Sequence, residues 1–353
     1  MITKFFNWFF FRKKQDRDLT QKIESVRAGK KLSVALLSKP LQYMNLKAAS
    51  HDGSLCRVLI ICNAFANAER FVRFLQQSDH SWDAIYIVQS EMTAQASILK
   101  LRDVVELWIS SDYGVAYNFF LQALHKRSCR IKLIEEGIGN YVDGSELHFK
   151  IFHPWLYKHR LFSKLTFEAV RNFFHWLSGS GPRLNLSKWV DEIHLYYPDY
   201  PAIRCRSREV IRKLELTPAE NFSQLDRFFD FTEHKDAVEL CNKKVLIYAS
   251  NWDCCPEFSD DDLKKYDCII VKYHPHIKDK ENKKEGQLIH MSGSLPTEIL
   301  IFKLLKQGCS ITLRSKFTSS LVYLIGVSVK LEFEDEIPDF MQPLIRFVRG
   351  PHQ

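Results

Sequence analysis

A chain of 353 residues is long enough for two domains of ordinary size, and 46% hydrophobic with 13% aromatic residues can fill two cores. This composition excludes disorder over most of the chain. The formal net charge of +8 suits three kinds of partner: a nucleic acid, an anionic membrane surface or an anionic substrate.

The N-terminal 50 residues are basic and helix-prone, and we predict no strand within them. Mostly aromatic residues from Phe5 to Phe11 lead directly into Arg12-Lys13-Lys14. Apolar rings with basic tips suit a bilayer interface, but the run is far too short to span a bilayer and lacks a signal-peptide cleavage site. We expect a cytoplasmic protein in which this run provides peripheral contact with the inner face of the cytoplasmic membrane.

From residue 51 to about residue 225, apolar runs typical of buried strands alternate with amphipathic helical patterns. The predicted strands are Arg57–Cys62, Ala84–Val88, Val104–Ile109, Arg130–Ile134 and Glu192–Tyr197. The predicted helices are Ala64–Gln77 and Val115–Lys126. Residues 149–176 mix aromatic and basic side chains, which fits either an amphipathic helix packed on this domain or a second membrane contact. The alternation predicts a parallel, doubly wound sheet.

Residues 204–237 are predicted to be polar and helical and to lead into a second domain, residues 226–353. Its predicted strands are Lys244–Ser250, Cys268–Lys272, Ser310–Leu313 and Val327–Leu331, with a charged loop at Lys278–Glu285 and helices from Pro296 and after Phe317. The fold class is therefore α/β. Two Rossmann-like domains facing a central cleft form the GT-B architecture of glycosyltransferases, although dehydrogenases, synthetases and periplasmic binding proteins share the general layout.

The nine cysteines are scattered, several of them in strand-like runs, which predicts buried, reduced thiols of a cytoplasmic protein. The adjacent pair Cys254-Cys255 looks more exposed, but it has no partners at metal-ligand spacing. We expect neither a metal site nor a cofactor.

The nucleotide-binding motifs of the competing families are missing from the sequence. Residues 62–67 (Cys-Asn-Ala-Phe-Ala-Asn) stand where a G-x-G-x-x-G motif would follow the first predicted strand, and there is no P-loop. A phosphate would then be held by hydroxyls and helix N-termini, for which residues 315–320 (Ser-Lys-Phe-Thr-Ser-Ser) are suited. Simple N-capping of a helix explains the same residues equally well.

Two short strings place titratable groups at predicted strand ends. Glu135-Glu136-Gly137 follows the strand Arg130–Ile134, and His274-Pro275 follows the strand that ends at Lys272. Open α/β sheets bind ligands at the carboxyl ends of their strands, so an acid from one half could act with a base from the other. Surface turns of these compositions are common, and His153-Pro154 repeats the second string without a preceding strand.

In order along the chain, four short motifs resemble those of bacterial sialyltransferases. They are Glu135-Glu136-Gly137, His274-Pro275, Leu295–Leu300 and Thr318-Ser319-Ser320. The similarity is closest to the lipooligosaccharide sialyltransferases of glycosyltransferase family 52 and to the capsule polysialyltransferases. It covers residues 55 to 330, and the first 50 residues lie outside it.

This resemblance implies an inverting, metal-independent GT-B transferase that moves sialic acid or a related nonulosonic acid from its CMP-activated donor to a glycan acceptor. It implies that Glu136 is the general base and that His274 is the acid or the phosphate-stabilising group. Glu298 would bind the cytidine ribose, and Ser319 and Ser320 the phosphate. The remaining residues expected at the donor site are Gly137, Lys272, Pro275 and Thr318. By their position in the sequence, Lys272, Asn251, Trp252 and His276 could line the donor pocket or serve as scaffolding.

The residues support this chemistry independently of the resemblance. Two adjacent carboxylates raise each other's pKa, which makes one of them a better base for an acceptor hydroxyl. Because neighbouring residues of a strand point to opposite faces, only one of Glu135 and Glu136 is expected to reach a substrate, and Glu135 stays open as the base. His274 could donate to the departing phosphate, with Pro275 setting the turn.

Two rival functions also fit the sequence. A nucleic-acid-binding protein would fit the basic charge, but the sequence has no RNA-recognition, zinc-finger or helix-turn-helix signature. A GT-B transferase with another activated donor, such as CMP-Kdo, fits the same motifs. The acceptor, the linkage and the oligomeric state are open.

Overall fold

The computed structural model of the chain describes residues 18–49, 53–113, 115–141, 187–203, 211–250, 256–275, 277, 282–315, 318–334, 339 and 341–350. Several predicted features lie outside these residues. They are the aromatic and basic run at the N-terminus, residues 149–176, His153-Pro154, Asn251, Trp252, Cys254-Cys255, His276 and the start of the segment after Ser315.

The first sheet has seven parallel strands in the order β3-β2-β1-β4-β5-β6-β7. Its strands are β1 Leu32–Leu37, β2 Cys56–Cys62, β3 Ala84–Val88, β4 Val104–Ile109, β5 Arg130–Ile134, β6 Glu192–Leu195 and β7 Ile211–Lys213. Helix α1 covers residues 18–26, followed by α2 Pro40–Lys47, α3 Ala68–Ser78, α4 Glu91–Ile98 and α5 Val115–His125. The first six strands have the Rossmann order, in which the direction of winding changes between β1 and β4.

The second sheet has six strands in the order β10-β11-β9-β8-β12-β13, all parallel except the antiparallel pair β10 and β11. Its strands are β8 Lys244–Ala249, β9 Cys268–Lys272, β10 Lys283–Glu285, β11 Leu288–Met291, β12 Ser310–Ser315 and β13 Val329–Phe333. The helices of this half are α6 Pro218–Ser223, α7 Lys235–Val238, α8 Asp260–Lys265, α9 Thr297–Lys306, α10 Ser320–Tyr323 and α11 Gln342–Arg349. Winding starts at β8 and reverses between β8 and β12, so the predicted pair of Rossmann-like α/β sheets is confirmed.

The prediction of no strand within the first 50 residues was wrong. Strand β1, Leu32–Leu37, is buried along its whole length and lies between β2 and β4 in the first sheet. A six-residue apolar run has no periodicity that separates a buried strand from a buried helical turn. Its position in the sheet therefore depends on pairing with strands that follow later in the sequence.

Two other local predictions also differ from the structure. Ile211–Lys213 forms strand β7 in a segment predicted to be helical, because it pairs with β6 at the sheet edge. Part of the predicted charged loop forms β10, which pairs with the unpredicted strand β11 across a turn at Gly286. In both places tertiary pairing overrides a polar local sequence.

The chain forms two compact units, and helices α2 and α3 belong to the second. That unit comprises Ser38–Ala48, Asn63–His80 and Glu215–Gln353, and so contains the second sheet. Hydrogen bonds hold the early helices there: the Asn221 side chain donates to the Met44 carbonyl at 2.8 Å, and Arg70 pairs with Asp230 at 2.7 Å.

Five cysteines of the described residues are buried and unpaired, as predicted: Cys56, Cys62, Cys129, Cys268 and Cys309. Burial raises the pKa of Cys129 to about 12 and that of Cys268 to about 11, so these groups stay thiols near neutral pH. Cys241 is unpaired but exposed. None of the helices in the described part of the chain is long and apolar enough to cross a membrane.

Candidate functional site

The predicted functional residues form two groups, one at the carboxyl edge of each sheet. Glu135 and Glu136 follow β5, whereas Lys272 ends β9 and is followed by His274 and Pro275. Glu298 lies in the first turn of α9, and Ser320 begins α10 after β12. The carboxyl edge is where such sheets bind ligands, so each group occupies the expected position within its own sheet.

Glu135 is fully buried and its carboxylate has two donors. The Tyr196 amide donates to it at 2.8 Å, and the Tyr141 hydroxyl donates to the same oxygen. The Tyr197 amide in turn donates to the Tyr141 hydroxyl at 3.1 Å. Burial and the Glu135 carboxylate raise the pKa of Tyr141 well above its ordinary value, so the phenol keeps its proton. Glu135 thus ties β5 to the chain after β6.

Glu136 is half-buried, and its backbone is held by a turn that the sequence analysis did not use. The side-chain oxygen of Asn140 accepts hydrogen bonds from the amides of Glu136 at 2.8 Å and Gly137 at 3.3 Å. Gly137 has φ 147° and ψ −156°, a conformation that is essentially restricted to glycine. Gly137 and Asn140 therefore fix the backbone that carries Glu136.

The Tyr141 hydroxyl is expected to contribute strongly to stability. Tyr141→Phe leaves the buried Glu135 carboxylate without one of its donors, which should lower the free energy of unfolding by about 1.5–3 kcal/mol. Urea unfolding followed by circular dichroism measures this difference. Tyr86→Phe, at a half-buried tyrosine of β3, is the matched control and should change stability by less than about 0.5 kcal/mol. Equal effects of the two changes would contradict an anchoring role for Glu135.

At the edge of the second sheet, Lys272, Glu298 and Ser320 are each only 3% exposed. The Ser320 hydroxyl donates to the Glu298 carboxylate at 2.7 Å, which joins two predicted motifs across 22 residues of sequence. The Lys272 ammonium donates to the Tyr273 carbonyl at 3.0 Å. Burial lowers the pKa of Lys272 to about 7, against the attraction of Glu298, and burial raises the pKa of Glu298. The structure thus brings together three residues that the sequence predicted at the donor site.

The hydroxyls of Thr318 and Ser320 are linked, since the Thr318 hydroxyl lies 3.3 Å from that of Ser320 and accepts from the Ser320 amide at 3.4 Å. Ser319 is half-buried and Ser320 is buried. The Ser315 hydroxyl donates to the Ala249 carbonyl at 2.8 Å and so joins the ends of β12 and β8. Two of the predicted phosphate ligands therefore already have hydrogen-bond partners: Ser320 donates to Glu298, and Ser315 donates to the Ala249 carbonyl.

His274 and Pro275 form a half-buried turn that contacts hold from several sides. The Ile277 amide donates to the His274 carbonyl at 2.9 Å, and the Ala66 amide donates to the Pro275 carbonyl at 3.1 Å. Gly293 packs so closely that a Cβ there would lie 2.4 Å from the Pro275 Cα and 2.7 Å from the His274 carbonyl oxygen. Neither Ala66 nor Gly293 was predicted to contribute, because both act through backbone contacts distant in sequence.

The buried Lys272 should make stability depend on pH. Its pKa is about 7 in the folded protein against an ordinary value of 10.5, so between these values the unfolded chain holds a proton that the folded chain lacks. Stability therefore rises as pH rises through this window, by up to about 1.4 kcal/mol per pH unit.

Lys272→Met should flatten this rise, whereas Lys244→Met, at an exposed lysine of β8, should leave it unchanged. Urea unfolding at pH 7.5, 8.5 and 9.5 provides the measurement. The same slope in Lys272→Met as in the wild type would show that another group titrates.

Each group offers its own chemistry. The first provides a half-buried carboxylate at Glu136, which suits proton abstraction. The second provides the His274 imidazole, the Lys272 amine and serine hydroxyls, which suit an anionic leaving group. Within the described ranges, no group of three or more His, Cys, Asp or Glu side chains is arranged to hold a metal ion.

Comparison with known proteins finds likeness at the level of the fold, at low sequence identity. No family model matches the chain, and no curated protein matches it. Among solved structures, the wall teichoic acid polymerase TagF aligns over 94% of this chain and 77% of its own, with 13% sequence identity and a TM-score of 0.45. A likeness at this level supports no inference about activity or substrate.

Proposed function

We propose that the protein is an inverting glycosyltransferase that transfers sialic acid or a related nonulosonic acid from its CMP-activated donor to a glycan hydroxyl. The acceptor class in this proposal is lipooligosaccharide or capsule. The observation that supports it best is the convergence of Lys272, Glu298 and Ser320 at one sheet edge, next to His274 in the chain. Three of the motifs that resemble those of sialyltransferases therefore lie together. Two of them contribute Glu298 and Ser320 to the buried cluster, and the third is the His274-Pro275 turn that follows Lys272.

The proposed reaction divides the work between the two groups of residues. Glu136 takes the proton of the acceptor hydroxyl, whose oxygen forms a bond to the anomeric carbon of the donor. The bond between that carbon and the phosphate oxygen breaks, and the electron pair leaves with CMP. His274 and Lys272 neutralise the departing phosphate, while Glu298 binds the cytidine ribose and Ser319 contributes a hydroxyl.

The identity of the donor is tested by adding nucleotides and activated sugars to the purified protein. CMP should raise the melting temperature more than UMP, and CMP release should require CMP-sialic acid together with a glycan acceptor. CMP-Kdo is included because it has the same leaving group, and UDP-N-acetylglucosamine is the negative control. If CMP-Kdo is turned over and CMP-sialic acid is not, the proposed donor becomes CMP-Kdo. No response to any cytidine nucleotide would overturn it.

Residues Phe5 to Lys14 provide the membrane contact in this proposal, at the inner face of the cytoplasmic membrane. Co-sedimentation of the full chain with anionic phospholipid vesicles tests it. Binding should fall when Lys13 and Lys14 are both changed to Glu, and binding that is unchanged by this pair would contradict the proposal.

A further inference from the structure

Tyr117 lies at the carboxyl edge of the first sheet and has no role in the reaction proposed above. Helix α5, Val115–His125, connects β4 to β5, and these two parallel strands are hydrogen-bonded neighbours. Because both strands end at the same edge, the helix begins where β5 leads into Glu136. Tyr117 lies in the first turn of this helix and belongs to the same compact unit as Glu136.

The ring of Tyr117 is held in place, whereas its hydroxyl is not. The ring packs edge-to-face on the buried ring of Phe120, with the two centroids 5.7 Å apart. The residue as a whole is half-buried, and its hydroxyl has no hydrogen-bond partner among the described residues. The Tyr141 hydroxyl, by contrast, donates to Glu135 and accepts from the Tyr197 amide. A fixed ring with an unused hydroxyl is suited to hold a ligand.

Titratable groups at the ends of four strands act on the Tyr117 hydroxyl. Burial raises the pKa of Tyr117 well above its ordinary value, and it is raised further by Glu91, Cys62, Asp112 and Glu136. Cys62 ends β2, and the three carboxylates follow β3, β4 and β5. The hydroxyl therefore lies among these strand ends, within electrostatic range of Glu136, and keeps its proton at neutral pH.

The charges at this edge favour a neutral ligand. The first-unit residues described after strands β3 to β6 and in the first turns of α4 and α5 contain no lysine or arginine; these are residues 89–94, 110–113, 117–118, 135–141 and 196–203. Lys39, which follows β1, belongs to the second unit. The carboxylates would repel an anionic group beside Tyr117, whereas a sugar hydroxyl can accept from the phenol and donate to Glu136.

We infer that Tyr117 is an acceptor-binding residue, whose hydroxyl donates to a neutral acceptor sugar next to the hydroxyl that Glu136 deprotonates. This assignment rests on the proposed function, since it takes Glu136 as the base. Tyr117 binds the sugar and transfers no proton itself. A contact of this kind is made equally in the ground state and in the transition state, so it lowers the KM of the acceptor and leaves kcat unchanged.

Tyr117→Phe removes only the hydroxyl and tests the inference in the full-length protein. The neutral disaccharide lactose and CMP are titrated separately, by saturation-transfer NMR and by calorimetry. Lactose affinity should fall about threefold to tenfold, while CMP affinity stays within about twofold of wild type. The melting temperature should keep its wild-type value, because the hydroxyl has no partner in the described part of the chain. Tyr86→Phe, at a half-buried tyrosine of β3, is the matched control and should change neither affinity.

The outcomes separate this assignment from the proposed donor. Wild-type lactose affinity in Tyr117→Phe, or no lactose binding by the wild type, would overturn the role of Tyr117 and leave the donor proposal intact. Lactose binding that depends on Tyr117, without a response to any cytidine nucleotide, would overturn the donor proposal and keep the acceptor site. A melting temperature that falls together with lactose affinity would show that Tyr117 acts on the fold and not on the sugar.

Discussion

Glu136→Gln is expected to lower the transfer rate by about 10²–10⁴-fold while CMP affinity stays within about twofold of wild type. The amide has nearly the same size and shape as the carboxylate but cannot accept the acceptor proton. Glu136 is half-buried, and its backbone is fixed by Asn140 and Gly137, so the change should leave the fold intact. Single-turnover rates with the donor identified in the nucleotide panel, together with CMP titration, provide the two measurements.

Glu135→Gln is the informative companion variant. Its carboxylate accepts from the Tyr196 amide and the Tyr141 hydroxyl, so loss of the negative charge should appear first as a lower unfolding free energy. Wild-type transfer rates in Glu136→Gln, with inactive but folded Glu135→Gln, would reassign the base to Glu135.

Gly293→Ala is expected to lower the free energy of unfolding by about 1–3 kcal/mol and to weaken CMP binding at least tenfold. The new methyl would meet the Pro275 Cα at 2.4 Å and the His274 carbonyl oxygen at 2.7 Å, both of which are backbone atoms. The turn can relieve the overlap only by moving, and movement strains the hydrogen bond from the Ala66 amide to the Pro275 carbonyl. Denaturant unfolding and calorimetric titration with CMP report the two effects.

Gly53→Ala is the control for this change, because a Cβ at Gly53 has nothing within 4 Å. It should behave as wild type in both measurements. Unchanged stability and CMP affinity in Gly293→Ala would show that the turn has room to adjust. Lower stability with normal CMP affinity would show that His274 and Pro275 do not contact the nucleotide.

Much of the fold could be predicted from local pattern. Strands such as Cys268–Lys272 are short apolar runs bounded by polar residues, and their alternation with helices indicates a parallel sheet. Strands β1, β7, β10 and β11 were missed, because each is defined by the strand it pairs with rather than by its own pattern. Register and sheet order are properties of pairs of segments, which a local pattern does not contain.

The candidate site, like the fold, was only partly predictable from the sequence. The sequence by itself determined that Glu136, His274, Glu298 and Ser320 occur at strand and helix ends, since the end of an apolar run is visible locally. Only the tertiary structure decided that Glu135 is buried under Tyr141 and Tyr196, and that Ser320 bonds to Glu298. It also revealed the close packing of Gly293 against the His274-Pro275 turn. Burial and hydrogen bonding of these groups depend on contacts between segments far apart in sequence, and those contacts exist only after both segments have folded.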